Sequence, residues 1–173
     1  FEDREDFYNL YYFISKLNLF IDMEDLNVGK PVVADEVYKQ NSLSISAGAL
    51  LEAGFTKYLT RRHMLLKIGN KNVQLSDNIS FACEDETDLI FELQNKYIDK
   101  YTGNFLFKKE ILSEIKDNLI LSIYKGTSFA GYLRFKTNNK SVSLEGIVVG
   151  PEFRGKGYSK ELVKYFIDYF SKE

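Results

Sequence analysis

The sequence predicts an α/β protein, a mixed sheet with flanking helices, and three observations carry that prediction. Short runs rich in β-branched and aromatic residues are interspersed with stretches whose apolar residues recur three and four places apart, so strands and helices follow one another along the chain. Hydrophobic residues make up 45% of the 173 positions, with 14 Phe and 12 Tyr, enough to fill a real core. Near the end, an apolar strand runs through a glycine-rich turn into an amphipathic helix, the arrangement that leaves free amides at a helix head.

Taken in order, residues 4–17 carry Phe7, Leu10, Tyr11, Ile14 and Leu17 at helical spacing, with acidic residues in front where the helix dipole favours them. Asp22, Glu24 and Asp25 lie in a loop closed by Gly29-Lys30-Pro31; they lack calcium-loop spacing and read as a solvated acidic loop. Residues 31–38 read as a strand. Residues 41–53 read as a helix with Leu43, Ala47, Leu50 and Leu51 on one side and Gly54 as its terminator. Residues 58–68 form another strand, and residues 79–82 a short one.

Asp85 or Thr87 then caps a helix that turns Leu89, Ile90, Leu93, Tyr97 and Ile98 inward. A helix over 108–116 buries Ile111, Leu112 and Ile115. Residues 119–124 and 129–135 form a hairpin around Lys125-Gly126-Thr127-Ser128, and Asn138-Asn139 turns into the strand at 142–149. In the last helix Leu162, Val163, Phe166, Tyr169 and Phe170 share a face.

Composition excludes several classes of function. A net charge of −2 without a basic tract gives no general attraction to nucleic acid or to an anionic membrane, and the apolar runs are too short to span a bilayer. The single cysteine, Cys83, rules out a disulfide within the chain and argues against a Cys-based metal site, so no metal is expected and a cytoplasmic, reducing setting is the default. The acidic start, Phe1-Glu-Asp-Arg-Glu-Asp, is no secretory signal, and without an initiating Met it reads as a processed or cut piece.

The turn at 150–159 is where chemistry is expected. Gly155 and Gly157 carry no Cβ, so backbone can approach a phosphate and take positive φ, while Arg154 adds charge at the mouth. Gly150 to Lys156 fit the first seven places of a P-loop, but Gly157 stands where that loop needs Ser or Thr for Mg²⁺. A dinucleotide fingerprint needs glycine three places after Gly157, where Lys160 stands.

Val149-Gly-Pro-Glu-Phe-Arg154-Gly-Lys-Gly157-Tyr-Ser159 resembles the acetyl-coenzyme A loop of the GCN5-related N-acetyltransferases, or GNAT family: Arg or Gln, two residues, Gly, one residue, Gly or Ala. Ser159 is a mild departure at the last place. Phe129-Ala-Gly-Tyr132 resembles the third strand of that family, and the likeness covers residues 78–172 in kind. The resemblance implies a GNAT-like acyl-coenzyme A N-acyltransferase fold with acetyl-coenzyme A as co-substrate. It also implies that the backbone around Ile147, Val148 and Val149 pairs with the pantetheine arm. Arg154, Gly155, Lys156, Gly157, Tyr158, Ser159 and Lys160 form the loop around the pyrophosphate.

Residues 30–68 resemble the distal part of the same fold, with Asn41 at the end of a strand as a cofactor contact and Leu51-Glu-Ala-Gly-Phe55 closing a helix. The family's usual thiol-protonating Tyr is replaced by Leu50, so that acid is missing or comes from elsewhere, and the spacing from Asn41 to Phe55 is about two residues long. This distal part, 1–70, precedes the proximal part, 71–173. Either two tandem domains meet here, their halves belonging to different sites and each sheet completed by missing sequence or by a neighbouring chain, as in a homodimer, or one domain is permuted, its strand at 32–38 pairing beside the strand at 142–149. The permuted or mutually completing arrangement is favoured because half a sheet would leave a long bare edge.

Attack by an amine on a thioester needs a base, and Glu145, on the strand leading into the glycine turn, is the candidate; its bland reading is an exposed or salt-bridged strand residue. His63 reads as a surface residue and Cys83 as a small buried hydrophobe. The expected activity is N-acetyl transfer to a primary amine of a small molecule or peptide. Its rivals are a catalytically silent acyl-coenzyme A binding or interaction domain and a nucleotide hydrolase, which Gly157 disfavours.

Overall fold

The computed structural model describes residues 2–3, 8–10, 32–34, 45–59, 64–67, 76–102, 105–138 and 141–171. The chain divides into two compact units, Phe1–His63 and Met64–Glu173.

In the first unit, β1 (Glu2–Asp3) pairs antiparallel with β2 (Tyr8–Leu10), and β2 pairs parallel with β3 (Val32–Ala34). The helix expected over 4–17 is therefore replaced at Tyr8–Leu10 by a strand. Aromatic residues crowd that stretch and favour strand, and the partner that decides the matter lies more than twenty residues away, beyond reach of local periodicity. The described partner of β3 is β2; the pairing with the strand at 142–149, expected of a permuted order, is not among the described pairings.

The helix α1 (Ile45–Glu52) buries Ala49 and Leu50, while Leu51, expected on the same side, is exposed. Gly54 ends it as expected: at φ 94° it lets its own amide reach Leu51 O (3.1 Å) and the Phe55 amide reach Leu50 O (3.0 Å). The strand expected over 58–68 does not form at its described residues 58–59 and 64–67. They are irregular, with Met64 87% and Leu65 82% exposed, so apolar content alone was no guide to pairing.

The second unit is built on a four-stranded antiparallel sheet in the order β4 (Ile79–Phe81), β5 (Ile120–Lys125), β6 (Ser128–Asn138), β7 (Ser141–Val149). Between β4 and β5 the chain forms α2 (Thr87–Tyr97) and α3 (Lys108–Lys116); after β7 comes α4 (Tyr158–Phe170). Strand alternation sends side chains to opposite faces, and the core accordingly has two layers. Leu121, Leu133 and Phe135 pack with Leu162 and Phe166 of α4, whereas Ile120, Tyr132 and Val148 pack with Ile90, Ile111 and Ile115 of α2 and α3. Burial on that scale stabilises by about 2 kcal/mol per large apolar side chain.

Two bulges adjust the alternation. Gly131 faces Ile123 and Phe129 faces Tyr124, leaving Ala130 as an extra residue in β6; Arg134 faces Gly146 and Phe135 faces Leu144, leaving Glu145 as an extra residue in β7. Gly131 is obligatory for a steric reason, since a Cβ there would stand 2.3 Å from Val148 O.

The entry to α2 differs in detail from expectation. A short 3-10 turn, Glu84–Glu86, precedes it, and the Glu86 carboxylate accepts from the Cys83 amide (2.8 Å) and from Ser122 Oγ (2.9 Å). Cys83 is exposed, not buried, because it lies just past β4 where the chain leaves the sheet. The buried stripe of α2 runs through Ile90 and Gln94, and Leu89 is 45% exposed. Gln94 is 1% exposed and spends its amide on one residue: Nε2 donates to Leu106 O (2.7 Å) and Oε1 accepts from the Leu106 amide (3.0 Å). That clasp fixes the connection from α2 to α3 and satisfies both buried groups.

Candidate functional site

The glycine turn grows out of the end of β7. Ile147 and Val149 pack on the α4 face and Val148 on the α2–α3 face, so the strand is anchored on both sides before it leaves the sheet. The Gly150 amide donates to Ala130 O (2.9 Å), and a 3-10 turn, Pro151–Phe153, drops the Phe153 ring into the core, edge-on to Tyr158 at 5.8 Å. With both ends pinned, residues 154–157 are left to make a tight exposed loop. Gly155 (φ 72°) and Gly157 (φ 89°) take left-handed conformations that other residues reach only at a cost.

Gly157 is the residue before α4, and it caps the helix with no side-chain hydrogen bond. The first bond of the helix runs from the Glu161 amide to Gly157 O (2.9 Å). The amides of Tyr158, Ser159 and Lys160 fall in the first turn, where no carbonyl stands behind them, and among the described residues no protein acceptor for them is found. Gly155, Lys156, Ser159 and Lys160 are exposed and Tyr158 is half-buried. The result is a cluster of uncommitted donors at the positive end of a 13-residue helix, a setting that favours an anion.

Two basic side chains frame the cluster. Lys156 Nζ donates to Glu152 O (2.6 Å), closing the loop on itself. Arg154 Nε donates to Val149 O (3.0 Å), and its guanidinium lies over the Tyr97 ring, 4.3 Å from the centroid. Sequence reading placed Tyr97 in the core of α2 and missed its contact with the loop, because the two residues stand far apart in the chain.

Glu145 is half-buried in the β7 bulge, and Ser143 Oγ donates to its Oε1. Alternation left its direction open; the bulge sets Glu145 and Gly146 together opposite Arg134. Arg134, only 4% exposed, has its Nε 3.0 Å from Glu114 Oε2 on α3. Burial raises the Glu114 carboxyl above the usual carboxylate range; Arg134 and Lys136 pull it down, and the charges of Glu145 and Glu110 push it up. Beside them, burial also drives the Tyr132 hydroxyl well above the ordinary tyrosine range. No motif marks Glu114 or Arg134; an Arg inside an otherwise apolar strand was the one available signal.

The turn residues 154–160, the strand end 147–149 and Glu145 thus lie on one continuous stretch around β7 and the head of α4. Asn41 and His63 lie outside the described residues. Leu50 is apolar and 6% exposed. Among the described residues no group of three His, Cys, Asp or Glu is placed to hold a metal ion, and no helix is long and apolar enough to cross a membrane.

Comparison with solved structures finds an acetyltransferase of the GNAT family from Bacillus cereus, 24% identical over 51% of this chain and 61% of that one, with a TM-score of 0.44. A GCN5-related N-acetyltransferase from Kribbella flavida is 15% identical over 54% of this chain and 27% of that one (TM-score 0.44). The PaiA N-acetyltransferase from Thermoplasma acidophilum, solved in complex with coenzyme A, is 16% identical over 54% and 71% (TM-score 0.45). The chain thus spans less than two thirds of the first two of these proteins. No curated protein matches the chain. The family model of the GNAT acetyltransferases matches residues 85–173, just over half of the chain and the whole stretch from the entry of α2 through the glycine turn to α4, and the chain belongs to that family.

Proposed function

We propose that this chain moves an acetyl group from acetyl-coenzyme A to a primary amine of a small molecule or peptide. The observation that supports it best is the head of α4, where a left-handed glycine caps the helix without a side chain and leaves the amides of residues 158–160 uncommitted. In this reading the amides from Gly155 to Lys160 hold the pyrophosphate, with Arg154 as a fixed charge at its side. Among the described strands β7 is the last of its sheet, so in this reading the backbone around Ile147, Val148 and Val149 offers its outer edge to the pantetheine arm. Asn41 keeps its place in the proposal as a further cofactor contact.

When bound, acetyl-coenzyme A supplies an activated acyl group. Glu145 takes a proton from the ammonium of the acceptor, directly or through one water, which frees the nitrogen lone pair. The new N–C bond forms as the C–S bond breaks; the nitrogen gives up its second proton, and the sulfur takes the electron pair and a proton. Buried Leu50 cannot give that proton. A cytoplasmic setting fits the single cysteine. The arrangement 1–70 as distal part and 71–173 as proximal part, completed within one chain or in a homodimer, belongs to the same proposal.

The apolar Leu50 favours one rival, an acyl-coenzyme A binding module without turnover. Thiol release from acetyl-coenzyme A with a panel of amines, run beside calorimetry with coenzyme A, separates the two. Release that depends on the amine supports the enzyme. Binding without release supports the silent module, and no binding by the folded protein removes both.

A further inference from the structure

The loop and α2 meet where the Arg154 guanidinium lies over the Tyr97 ring, a ring that also packs against the core beneath α2. Arg154 is exposed, and an exposed arginine ordinarily samples many rotamers, which an anion must then freeze on binding. Here two contacts restrict it: Nε is spent on Val149 O at 3.0 Å, and the guanidinium lies 4.3 Å from the centre of the Tyr97 ring. Tyr97 is the last residue of α2, one turn after Gln94, whose clasp on Leu106 holds that end of the helix still. The ring is also within 5.6 Å of Lys96 Nζ, so both cations near it belong to the same corner. The bond to Val149 uses Nε, and the terminal Nη groups are not the ones it consumes.

We propose that Tyr97 is a positioning residue for the cofactor loop. Its ring holds the Arg154 guanidinium in place before the pyrophosphate arrives, so that less side-chain freedom is lost on binding. The inference rests on the reading of the glycine turn as a coenzyme A site. It adds that α2, which carries no part of the loop motif, contributes to cofactor affinity from the far side.

The test is calorimetry of the whole chain with coenzyme A, for the unsubstituted protein, Tyr97→Phe, Tyr97→Leu, Arg154→Ala and the double variant Tyr97→Leu with Arg154→Ala. Phe keeps the ring face and Leu keeps apolar bulk against the core cluster beneath α2, so both retain the packing of α2; thermal melting checks that they do. A cation–π contact at an exposed site predicts about threefold to fivefold weaker binding for Tyr97→Leu and near-parental binding for Tyr97→Phe. In the Arg154→Ala background, Tyr97→Leu should have no further effect, which a merely structural role for Tyr97 would not produce. Unaltered affinity in Tyr97→Leu, equal loss in Tyr97→Phe, or full additivity with Arg154→Ala overturns the inference while coenzyme A binding itself stands. No heat from the unsubstituted, folded chain overturns the site reading first and this inference with it.

Discussion

Two left-handed glycines stand at opposite ends of two helices, and they do opposite things. Gly54, at φ 94°, follows α1, and Gly157, at φ 89°, precedes α4. At Gly54 the freed amides turn back at once, those of Gly54 and Phe55 onto the carbonyls of Leu51 and Leu50, and the helix end is closed. At Gly157 the chain enters a helix, the first-turn amides point away from any carbonyl, and among the described residues nothing of the protein's own takes them. The backbone conformation is nearly the same in both. The polarity of the helix decides whether it closes the end or leaves donors open, because a helix runs out of acceptors at its start and out of donors at its end.

That contrast can be broken by substitution, and the largest expected effect falls beside the turn, not in it. Replacing Glu145 with Gln removes the proposed base but no donor, so acetyl transfer should fall by about 100-fold or more while coenzyme A affinity in calorimetry stays within about twofold. A parallel loss of binding would mean that Glu145 belongs to the grip. Next comes Gly157→Ala. A Cβ there meets no atom within 4 Å, so the cost is one of conformation. Left-handed strain of about 1–2 kcal/mol should open the turn and weaken coenzyme A binding by about tenfold. Gly54→Ala carries the same strain at the closed end; its melting temperature should drop by a few degrees, with coenzyme A affinity unchanged. Weaker coenzyme A binding in Gly54→Ala would end the contrast.

The smallest effect is one of pH. The folded Glu114 carboxyl is raised above its unfolded value, chiefly by burial, against the pull of Arg134 and Lys136. The unfolded chain therefore ionises first as pH climbs. The stability linked to this group is fully present below the unfolded value and is lost as pH rises through the folded one. Chemical denaturation across the acid range should show this as declining stability, and Glu114→Gln should flatten the decline. A rise in stability over the same range would mean that Arg134 outweighs burial.

The second unit was largely legible because its signals are local. The helix expected after a cap at Asp85 or Thr87 is Thr87–Tyr97, though Glu86 stands at its cap and makes no side-chain capping bond; the hairpin strands at 119–124 and 129–135 are Ile120–Lys125 and Ser128–Asn138, and the strand at 142–149 is Ser141–Val149. Each is longer than a turn and carries its own periodicity, and β5 and β7 stop at Gly126 and Gly150. What failed was set by distant partners. Tyr8–Leu10 became a strand through Val32–Ala34, and Leu89 lost its place inside to Gln94, a polar residue that burial tolerates only because Leu106 takes both ends of its amide. Of the site, the loop from Arg154 to Lys160 was visible in the spacing of its glycines. Glu114, Arg134 and the Tyr97 contact were not, since no pattern along the chain joins them.

From its residues alone the chain determined a strand, a glycine turn and a helix in that order, and with them the place where amides go unsatisfied, because helix polarity and glycine's missing Cβ act within a dozen residues. Tertiary structure decided that Glu145 sits in a bulge, which exists only where β7 lies against β6. It decided too that Arg154 is held by a ring from another helix. Both depend on residues brought together by packing of the sheet against α2 and α3, and the free energy of packing belongs to the assembled core, not to any segment of it.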